Sequence, residues 1–239
     1  MKLNFGLIGK GYISKYHINA IENLNHNLVS IYDPFLSNLQ KVEDLFKYNL
    51  DYVVICSPTN FHYEHVKLAL KNNVKIICEK PLFPPWIPLF DNNDINIVLQ
   101  YEYCNLPDTA NLLEVTMVRD EEYFKTWKGN SFYTGGIFYN LFIHYFMISI
   151  KTGARFVGKI LHEGTQVRKL DNIDLTKIDT IELYTKMYNE IISGNGRKPK
   201  DIFYLMWVLN HCNLSFGMGK ELIGKTIHFD PKNITFMLE

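Results

Sequence analysis

The segment Asp51–Pro81 constrains the fold more than any other part of the sequence. Its first apolar run, Tyr52–Cys56, stops at a Ser-Pro turn, and its second, Val74–Cys78, leads into Glu79-Lys80-Pro81. Between them, charged and apolar residues are interspersed over His62–Lys71 as in an amphipathic helix. Uninterrupted apolar runs are typical of strands buried on both faces. The segment therefore predicts a strand–helix–strand unit with a right-handed crossover, and with it a parallel sheet.

A ligand is expected at the carboxyl ends of these two strands, because open parallel sheets bind ligands there. Glu79, Lys80 and Pro81 follow the second strand. The residues that follow the first strand are Ser57, Pro58, Thr59, Asn60 and, slightly further on, His62. Pro81 restricts the local backbone, and a cis peptide is one conformation open to it. We expect Lys80 to be aimed into the crevice.

A glycine-rich turn follows the first predicted strand, Lys2–Ile8. Gly9-Lys10-Gly11-Tyr12-Ile13-Ser14 reads G-x-G-x-x-S and leads into a predicted helix, Tyr12–Leu24. In such a turn the first glycine permits the tight bend, and the second lets the backbone approach a pyrophosphate. Asp33 ends the next predicted strand, Asn27–Tyr32, at a distance where an acid can bind the adenosine ribose and repel a 2′-phosphate. The pattern predicts NAD binding; a plain glycine turn with Asp33 as a helix cap is the alternative.

Composition argues against several other classes of protein. The 25 basic and 25 acidic side chains balance, so no net field favours nucleic acid or an anionic membrane. The four cysteines form no C-x-x-C pair, and we expect reduced thiols of a cytoplasmic protein rather than disulfides or a metal site. We find no pattern typical of a signal peptide and no apolar run long enough to cross a bilayer.

The second half of the chain differs in pattern. A mostly apolar helix is predicted over Gly135–Ser149, with Asn140 and His144 on one face because they are four residues apart. The other predicted elements are a short helix over Leu39–Tyr48, strands over Ile95–Tyr101, Leu112–Arg119, Phe156–His162 and Gln166–Leu170, and helices over Ile181–Ile192 and Lys200–Asn210. Gly217–Glu239 has no decisive pattern. We predict an α/β chain with a Rossmann domain over residues 1–103 and a smaller α+β sheet domain over residues 104–239.

The motifs resemble those of the Gfo/Idh/MocA oxidoreductases, which pair a Rossmann domain with a C-terminal α+β sheet domain. Glu79-Lys80-Pro81 matches the family's Glu-Lys-Pro motif, and Gly135–Phe146 matches its Gly-Gly motif with a distal histidine. Further runs are similar to the branch that oxidises UDP-N-acetylglucosaminuronic acid: Cys78–Leu82 with Pro85-Trp86, Arg119, Glu122-Tyr123, Thr126–Gly129, Asn140, and Tyr184–Gly196. The resemblance covers residues 1–210.

The resemblance implies an NAD-dependent enzyme of polysaccharide biosynthesis that oxidises the 3-hydroxyl of a nucleotide sugar. The implied catalytic residues are Lys80 as base or relay, His144, and Asn140, which can only orient the sugar or His144. The cofactor contacts are Gly9, Gly11, Tyr12, Ile13, Asp33, Ser57, Pro58, Thr59, Asn60, His62, Glu79 and Lys80. The substrate contacts are Lys80, Arg119, Tyr123, Trp127, Lys128, Asn140 and His144.

Plainer alternatives exist for most of these residues. Lys80 is otherwise a structural or phosphate-binding lysine, and His144 a satisfied core histidine. Thr59 and Asn60 are otherwise turn and helix caps. Trp127 is equally a core or a lid aromatic, and Arg119 and Lys128 are more often solvated surface charges than diphosphate ligands.

Departures from the family pattern keep a second hypothesis open. Glu102 stands where the branch has arginine, Tyr184 where it has histidine, and Met147 where an aspartate is expected. The segments after Asp33 and after Pro81 are also short. Under this second hypothesis the chain binds the cofactor without catalysing a reaction and acts as a partner or scaffold.

A homodimer or homotetramer is expected from the family, with the apolar face of a narrow second sheet packed on another copy. The strands over Leu112–Arg119 and Phe156–Leu170 would form that face. The alternative is that Gly217–Glu239 folds back as extra strands and replaces the missing ones, which would still leave one face of the sheet to bury. The expected partner is a nucleotide sugar, with no nucleic acid or membrane.

Overall fold

The computed structural model describes all 239 residues, Met1–Glu239, in two compact units. The first unit contains Met1–Tyr103 and Asp179–Ile202, and the second contains Cys104–Ile178 and Phe203–Glu239. The sequence predicted two continuous domains. The return of Asp179–Ile202 to the first unit is a correction, and its cause is packing: the helix in this segment contributes Tyr184, Tyr188 and neighbouring side chains to the first unit's core.

Eleven strands and seven α-helices make up the chain. The strands are β1 (Asn4–Ile8), β2 (Asn27–Tyr32), β3 (Tyr52–Ile55), β4 (Lys75–Cys78), β5 (Ile95–Ile97), β6 (Leu112–Val118), β7 (Arg155–Leu161), β8 (Val167–Leu170), β9 (Ile173–Asp174), β10 (Thr226–Asp230) and β11 (Thr235–Leu238). The helices are α1 (Ser14–Asn23), α2 (His62–Lys71), α3 (Glu121–Lys125), α4 (Ser131–Thr134), α5 (Ile143–Thr152), α6 (Thr180–Ile192) and α7 (Phe203–Phe216). None of the helices is long and apolar enough to cross a membrane.

A five-stranded parallel sheet forms the centre of the first unit, in the order β2-β1-β3-β4-β5. All four residues of β3 are buried, as the uninterrupted apolar run predicted. Helix α2 links β3 to β4, so the predicted strand–helix–strand unit and the Rossmann class are confirmed.

The connections at the two edges of this sheet contain less regular structure than the sequence predicted. Strand β2 is the edge strand, and between Asp33 and Asp51 the chain forms only a 3₁₀ segment, Val42–Lys47, in place of the predicted helix. At the other edge, β5 ends at Ile97, and a 3₁₀ turn over Gln100–Tyr103 replaces the rest of the predicted strand.

A six-stranded mixed sheet forms the second unit, in the order β11-β10-β7-β6-β8-β9. The expectation of a narrow sheet was wrong, because Gly217–Glu239 supplies β10 and β11 beside β7. Aromatic rings of α5 and the sheet pack closely on one face: the Phe146 centroid lies 4.7 Å from that of Phe156 and 5.0 Å from that of Phe229.

The opposite face of this sheet is mixed rather than apolar, which corrects the expectation for it. Alternation places Glu114 and Thr116 of β6 on that face, with Lys169 and Lys159 at the paired positions of the neighbouring strands. The alternating burial of β6 shows that its other residues carry the core contacts.

The predicted apolar helix over Gly135–Ser149 is divided. Gly135 and Gly136 have φ of 79° and 96°, which ends α4 in the left-handed region. A π-helical turn, Phe138–Phe142, then precedes α5. Asn140 lies in this wider turn and His144 at the start of α5. The spacing that placed them on one face assumed a regular α-helix, which the chain does not form here.

Candidate functional site

The turn between β1 and α1 uses its two glycines differently. Gly9 has φ of 93°, and a Cβ there would lie 2.8 Å from the backbone of Cys56 and Ser57. Gly9 is therefore required by the fold. Gly11 is exposed, and a Cβ on it would meet nothing within 4 Å. The backbone at Gly11 faces open space beside the first turn of α1, where a bound pyrophosphate fits.

The Asp33 side chain links the glycine turn to the loop that follows β2. Its Oδ2 accepts the Lys10 N–H at 2.8 Å, and its Oδ1 accepts the N–H groups of Phe35 and Leu36 at 3.0 and 3.2 Å. The helix-capping role of the alternative is absent, because the next helical segment begins only at Val42, and Asp33 caps a turn instead. A carboxylate has about four acceptor sites, so Oδ2 keeps one for a ribose hydroxyl. The two roles are compatible.

The loop after β3 carries an unused acceptor. Residues Thr59–Phe61 form a 3₁₀ turn, and Asn60 Oδ1 is buried without a hydrogen-bond partner. Buried polar atoms are normally paired. A bound group that donates an N–H or O–H fits this position, as the prediction of a cofactor contact by Asn60 requires.

His62 links two loops through both nitrogens of its ring. Its ring is 1% exposed; Nε2 lies 2.8 Å from the carbonyl oxygen of Ser57, and Nδ1 lies 2.9 Å from that of Pro81 and 3.2 Å from that of Leu82. Burial lowers the pKa of His62, opposed by its bonds to these carbonyls. The ring links the β3 loop to the turn after β4, and a cofactor contact by His62 stays a prediction.

Glu79 is likewise turned into the protein. The residue is 6% exposed; its Oε1 accepts the Tyr184 hydroxyl at 2.7 Å and lies 3.1 Å from His17 Nε2, while Oε2 accepts the Lys80 N–H at 3.2 Å. Burial alone would raise the pKa of Glu79, but His17, Lys80 and Tyr184 lower this pKa to about 2. A cofactor contact by Glu79 stays a prediction, since its carboxylate is bonded to protein groups.

The Lys80–Pro81 peptide is cis, the conformation that the sequence allowed. Lys80 is half-buried, and Pro81 is buried. Sequence reasoning missed His17, Tyr184 and Tyr188, which line the buried side of this turn. Tyr184 had been noted only as a departure from the family pattern.

In the second unit, four predicted residues come together. Asn140 Nδ2 donates to the Tyr123 hydroxyl at 3.0 Å and to the Lys128 carbonyl oxygen at 3.3 Å. The Tyr123 ring centroid lies 5.2 Å from the Arg119 guanidinium carbon and 5.4 Å from Lys128 Nζ. Burial raises the pKa of Tyr123, opposed by Arg119 and Asn140. The group presents cationic and amide donors around one tyrosine, a set that suits an anionic or polyhydroxylated ligand.

The two remaining candidates of this unit differ in exposure. Trp127 is 41% exposed, so the core alternative for this ring is wrong. His144 is buried at the start of α5. No group of His, Cys, Asp and Glu side chains has the arrangement needed to hold a metal ion. All four cysteines are unpaired.

Comparisons with known proteins agree with the fold of the first unit. Residues 3–87 match the model of the Gfo/Idh/MocA group, described as an oxidoreductase family with an NAD-binding Rossmann fold. With the parallel sheet and the Gly9–Gly11 turn, this match makes the first unit an NAD-binding Rossmann fold.

Two curated relatives are similar to part of this chain. The inositol 2-dehydrogenase of Rhizobium meliloti is 30% identical over 95 residues, and the D-glucoside 3-dehydrogenase of Escherichia coli is 32% identical over 95 residues. These matches cover 34% and 33% of this chain, and only 29% and 27% of the relatives.

A solved structure is similar over both units. The WlbA (WbpB) dehydrogenase from Thermus thermophilus, in complex with NAD and UDP-GlcNAcA, has a TM-score of 0.67 and 20% identity, covering 87% of this chain and 94% of that one. At this identity the likeness concerns the fold.

Proposed function

We propose that this chain is an NAD-dependent oxidoreductase of the Gfo/Idh/MocA type that oxidises a hydroxyl group of a sugar. The observation that carries the proposal is the Glu79-Lys80-Pro81 turn at the carboxyl end of β4, in a unit whose residues 3–87 match that family. The glycine turn, Asp33 and the free acceptor of Asn60 supply contacts for the dinucleotide.

The chemistry requires an acceptor for the hydroxyl proton and a site for the hydride. A dinucleotide held by the glycine turn, Asp33 and Asn60 would supply the hydride acceptor. In this proposal Lys80 takes the hydroxyl proton, and the carboxylate of Glu79 together with His62 fixes the turn that carries Lys80. His144 is the second candidate acid–base group.

The substrate class proposed is a nucleotide sugar similar to UDP-N-acetylglucosaminuronate, oxidised at the 3-position. The grouping of Arg119, Tyr123, Lys128 and Asn140 supports it, because cationic and amide donors suit a diphosphate and a uronate. Inositol and D-glucoside dehydrogenases among the relatives make an uncharged polyol the competing class.

A cofactor-binding protein without turnover is the second candidate function. It is favoured by Met147, which stands where the resemblance leads one to expect an aspartate, and by Glu102, which stands in the place of an arginine and pairs with Arg197. Under this hypothesis the protein binds NAD and acts as a partner or scaffold.

One assay separates these candidates. Purified protein is mixed with NAD and, in turn, UDP-N-acetylglucosaminuronate, UDP-N-acetylglucosamine, myo-inositol and a D-glucoside, and absorbance in the NADH band is followed. Turnover with the acidic nucleotide sugar supports the proposal. Turnover with inositol or the glucoside alone would show that the substrate is an uncharged polyol and not a nucleotide sugar. NAD binding without turnover on any of them favours the second candidate.

A two-fold homodimer or a homotetramer stays part of the proposal. The mixed face of the second sheet, with Glu114 and Lys169 at paired positions, can meet a second copy through both charges and apolar contacts. Light scattering at micromolar concentration tests this, and a monomer mass would reject it.

Deleting Gly217–Glu239 removes β10 and β11, and we expect an insoluble protein because Phe229 would leave the core.

A further inference from the structure

A buried hydrogen-bond chain lies behind the Glu79-Lys80-Pro81 turn. Tyr188 Oη lies 2.7 Å from His17 Nδ1, and His17 Nε2 lies 3.1 Å from Glu79 Oε1. The Tyr184 hydroxyl donates to the same carboxylate oxygen at 2.7 Å. His17 and both tyrosines are 0% exposed. At this depth water does not reach these groups, so they must satisfy one another.

One arrangement of protons satisfies the whole chain. Tyr188 donates its hydroxyl proton to His17 Nδ1, which places the ring proton on Nε2, where it is donated to Glu79. Tyr184 donates a second hydrogen bond to the same carboxylate. The remaining oxygen, Oε2, accepts the backbone N–H of Lys80 at 3.2 Å. Three donors, from His17, Tyr184 and the Lys80 backbone, end on the Glu79 carboxylate, so the arrangement suits its ionised form.

Three distant parts of the sequence meet at this carboxylate. His17 comes from α1, Glu79 follows β4, and the two tyrosines come from α6. The His17 ring lies edge-on to both tyrosine rings, with centroids 4.9 Å from Tyr184 and 5.7 Å from Tyr188. The imidazole therefore has little freedom to rotate, and its hydrogen bond to Glu79 is fixed in direction.

Burial raises the pKa of the Cys56 and Cys78 thiols and of the Tyr184 hydroxyl, so these neighbours of Glu79 stay uncharged near neutral pH. The Glu79 carboxylate is therefore the buried negative charge next to Lys80. Lys80 lowers the pKa of Glu79, and in return the carboxylate stabilises the ammonium form of the lysine.

We propose that His17, Tyr184 and Tyr188 are positioning residues for Lys80, acting through the Glu79 carboxylate. The inference rests on the proposed function, in which Lys80 accepts the proton of the sugar hydroxyl. Helix α6 would then set both the direction of the Lys80 turn and the proton affinity of its amine, although α6 lies about 100 residues later in the chain. A purely structural cluster would stabilise the fold without affecting the Lys80 amine.

Chemical labelling of the Lys80 amine distinguishes these roles without cofactor or substrate. Full-length protein is acetylated competitively with acetic anhydride from roughly pH 6 to 11, and the extent at Lys80 is read by mass spectrometry. Glu79→Gln should lower the midpoint of the Lys80 titration. Tyr184→Phe and Tyr188→Phe should each change the labelling rate near pH 8 by about threefold or more, because each removes one hydrogen bond from the chain.

Tyr139→Phe is the matched control. It also removes a buried hydroxyl, which donates to the Met206 carbonyl oxygen at 3.0 Å, but it lies in the second unit. It should lower the melting temperature and leave the Lys80 curve unchanged. If the two α6 variants are folded by circular dichroism and their Lys80 curves superimpose on the wild-type curve, the cluster is only structural and the proposal is wrong.

The test does not depend on one variant or on one measurement. If Tyr184→Phe does not fold, Tyr188→Phe and Glu79→Gln carry the test, since Tyr188→Phe leaves both donors to Glu79 in place. NAD titration of the same samples separates the two proposals. A protein that binds no NAD but shows the Lys80 response rejects only the proposed function; one that oxidises a sugar without the response rejects only this inference.

Discussion

The two units build their polar groups in different ways. In the first unit a carboxylate, Glu79, is buried and receives hydrogen bonds from residues of α1 and α6. In the second unit Asn140 is half-buried and bonds to Tyr123 and to the Lys128 backbone, all from one stretch of the chain. The first arrangement is assembled from distant segments and is closed to water, whereas the second is local and partly open.

This difference bears on what each site can do. A buried, fully bonded carboxylate fixes its surroundings and changes little when a ligand binds. A half-exposed amide beside cationic side chains can exchange its partners for those of a ligand. Under the proposed function, the first unit would carry the catalytic geometry and the grouping around Tyr123 would recognise the ligand.

The largest effect is expected at Lys80. Lys80→Met should lower kcat by about 10²–10⁴-fold, because the variant cannot take the hydroxyl proton, and should change the Kd for NAD by less than about twofold. Lys71→Met, an exposed lysine at the end of α2, is the control and should have near wild-type kcat. Steady-state kinetics on the true substrate measure this fall in kcat. A near-normal kcat in Lys80→Met would show that Lys80 is not the proton acceptor.

The buried carboxylate should make the first unit sensitive to acid. The pKa of Glu79 is lowered from 4.5 to about 2, so the unfolded chain binds the proton first as pH falls. The stabilisation, about 3 kcal/mol, is present above pH 4.5 and is lost progressively between that pH and about pH 2. Urea unfolding of Glu79→Gln should show a flatter decline than wild type across this window.

A carboxylate of the second unit provides the contrast. Asp174 is exposed in part and caps a short turn, and hydrogen bonds from Thr176 lower its pKa. Because this group stays in contact with water, Asp174→Asn should leave the shape of the pH dependence close to wild type. If the two variants change the acid limb equally, the contrast between buried and exposed carboxylates is wrong.

Substitutions of the two glycines in the turn after β1 should have different effects, one on stability and the other on NAD affinity. Gly9→Ala places a methyl 2.8 Å from backbone atoms at φ of 93°, and should cost at least about 2 kcal/mol in the free energy of unfolding. Gly11→Ala meets nothing, so stability should change by less than about 0.5 kcal/mol while NAD affinity falls about tenfold as the methyl obstructs the pyrophosphate. Unchanged NAD affinity in a stable Gly11→Ala protein would contradict the assigned site.

The smallest effect is expected in the second unit. Tyr123→Phe removes the acceptor of the Asn140 hydrogen bond and should reduce stability by about 1 kcal/mol. If the grouping recognises the substrate, KM should rise with little change in kcat. A lowered kcat with unchanged KM would instead place Tyr123 in the chemistry.

Local patterns predicted the parts of the fold that local interactions decide. The bounds of β2 and α2 agree with the sequence prediction, because strand runs, turn residues and amphipathic spacing lie within those segments. The glycine turn follows from its residue types, whereas Pro81 only left the cis peptide open as one conformation. These features needed no knowledge of distant contacts.

The remainder depended on contacts between distant segments. Tyr184 and Tyr188 gave no local sign that they would meet His17, so neither the return of α6 to the first unit nor the Glu79 cluster was predicted. Strands β10 and β11 are short and gain stability only by pairing with β7 and each other. The π-helical turn depends on how the two preceding glycines end α4.

Cofactor titration tests the central claim most directly. NAD and NADP are titrated separately into wild-type protein and Asp33→Ala, with binding followed by calorimetry. The account predicts that wild type binds NAD more tightly than NADP, since Asp33 lies where a 2′-phosphate would be a like charge, and that Asp33→Ala weakens NAD binding and reduces this discrimination. Failure of the wild-type protein to bind either dinucleotide, or tighter binding of NADP, would contradict it.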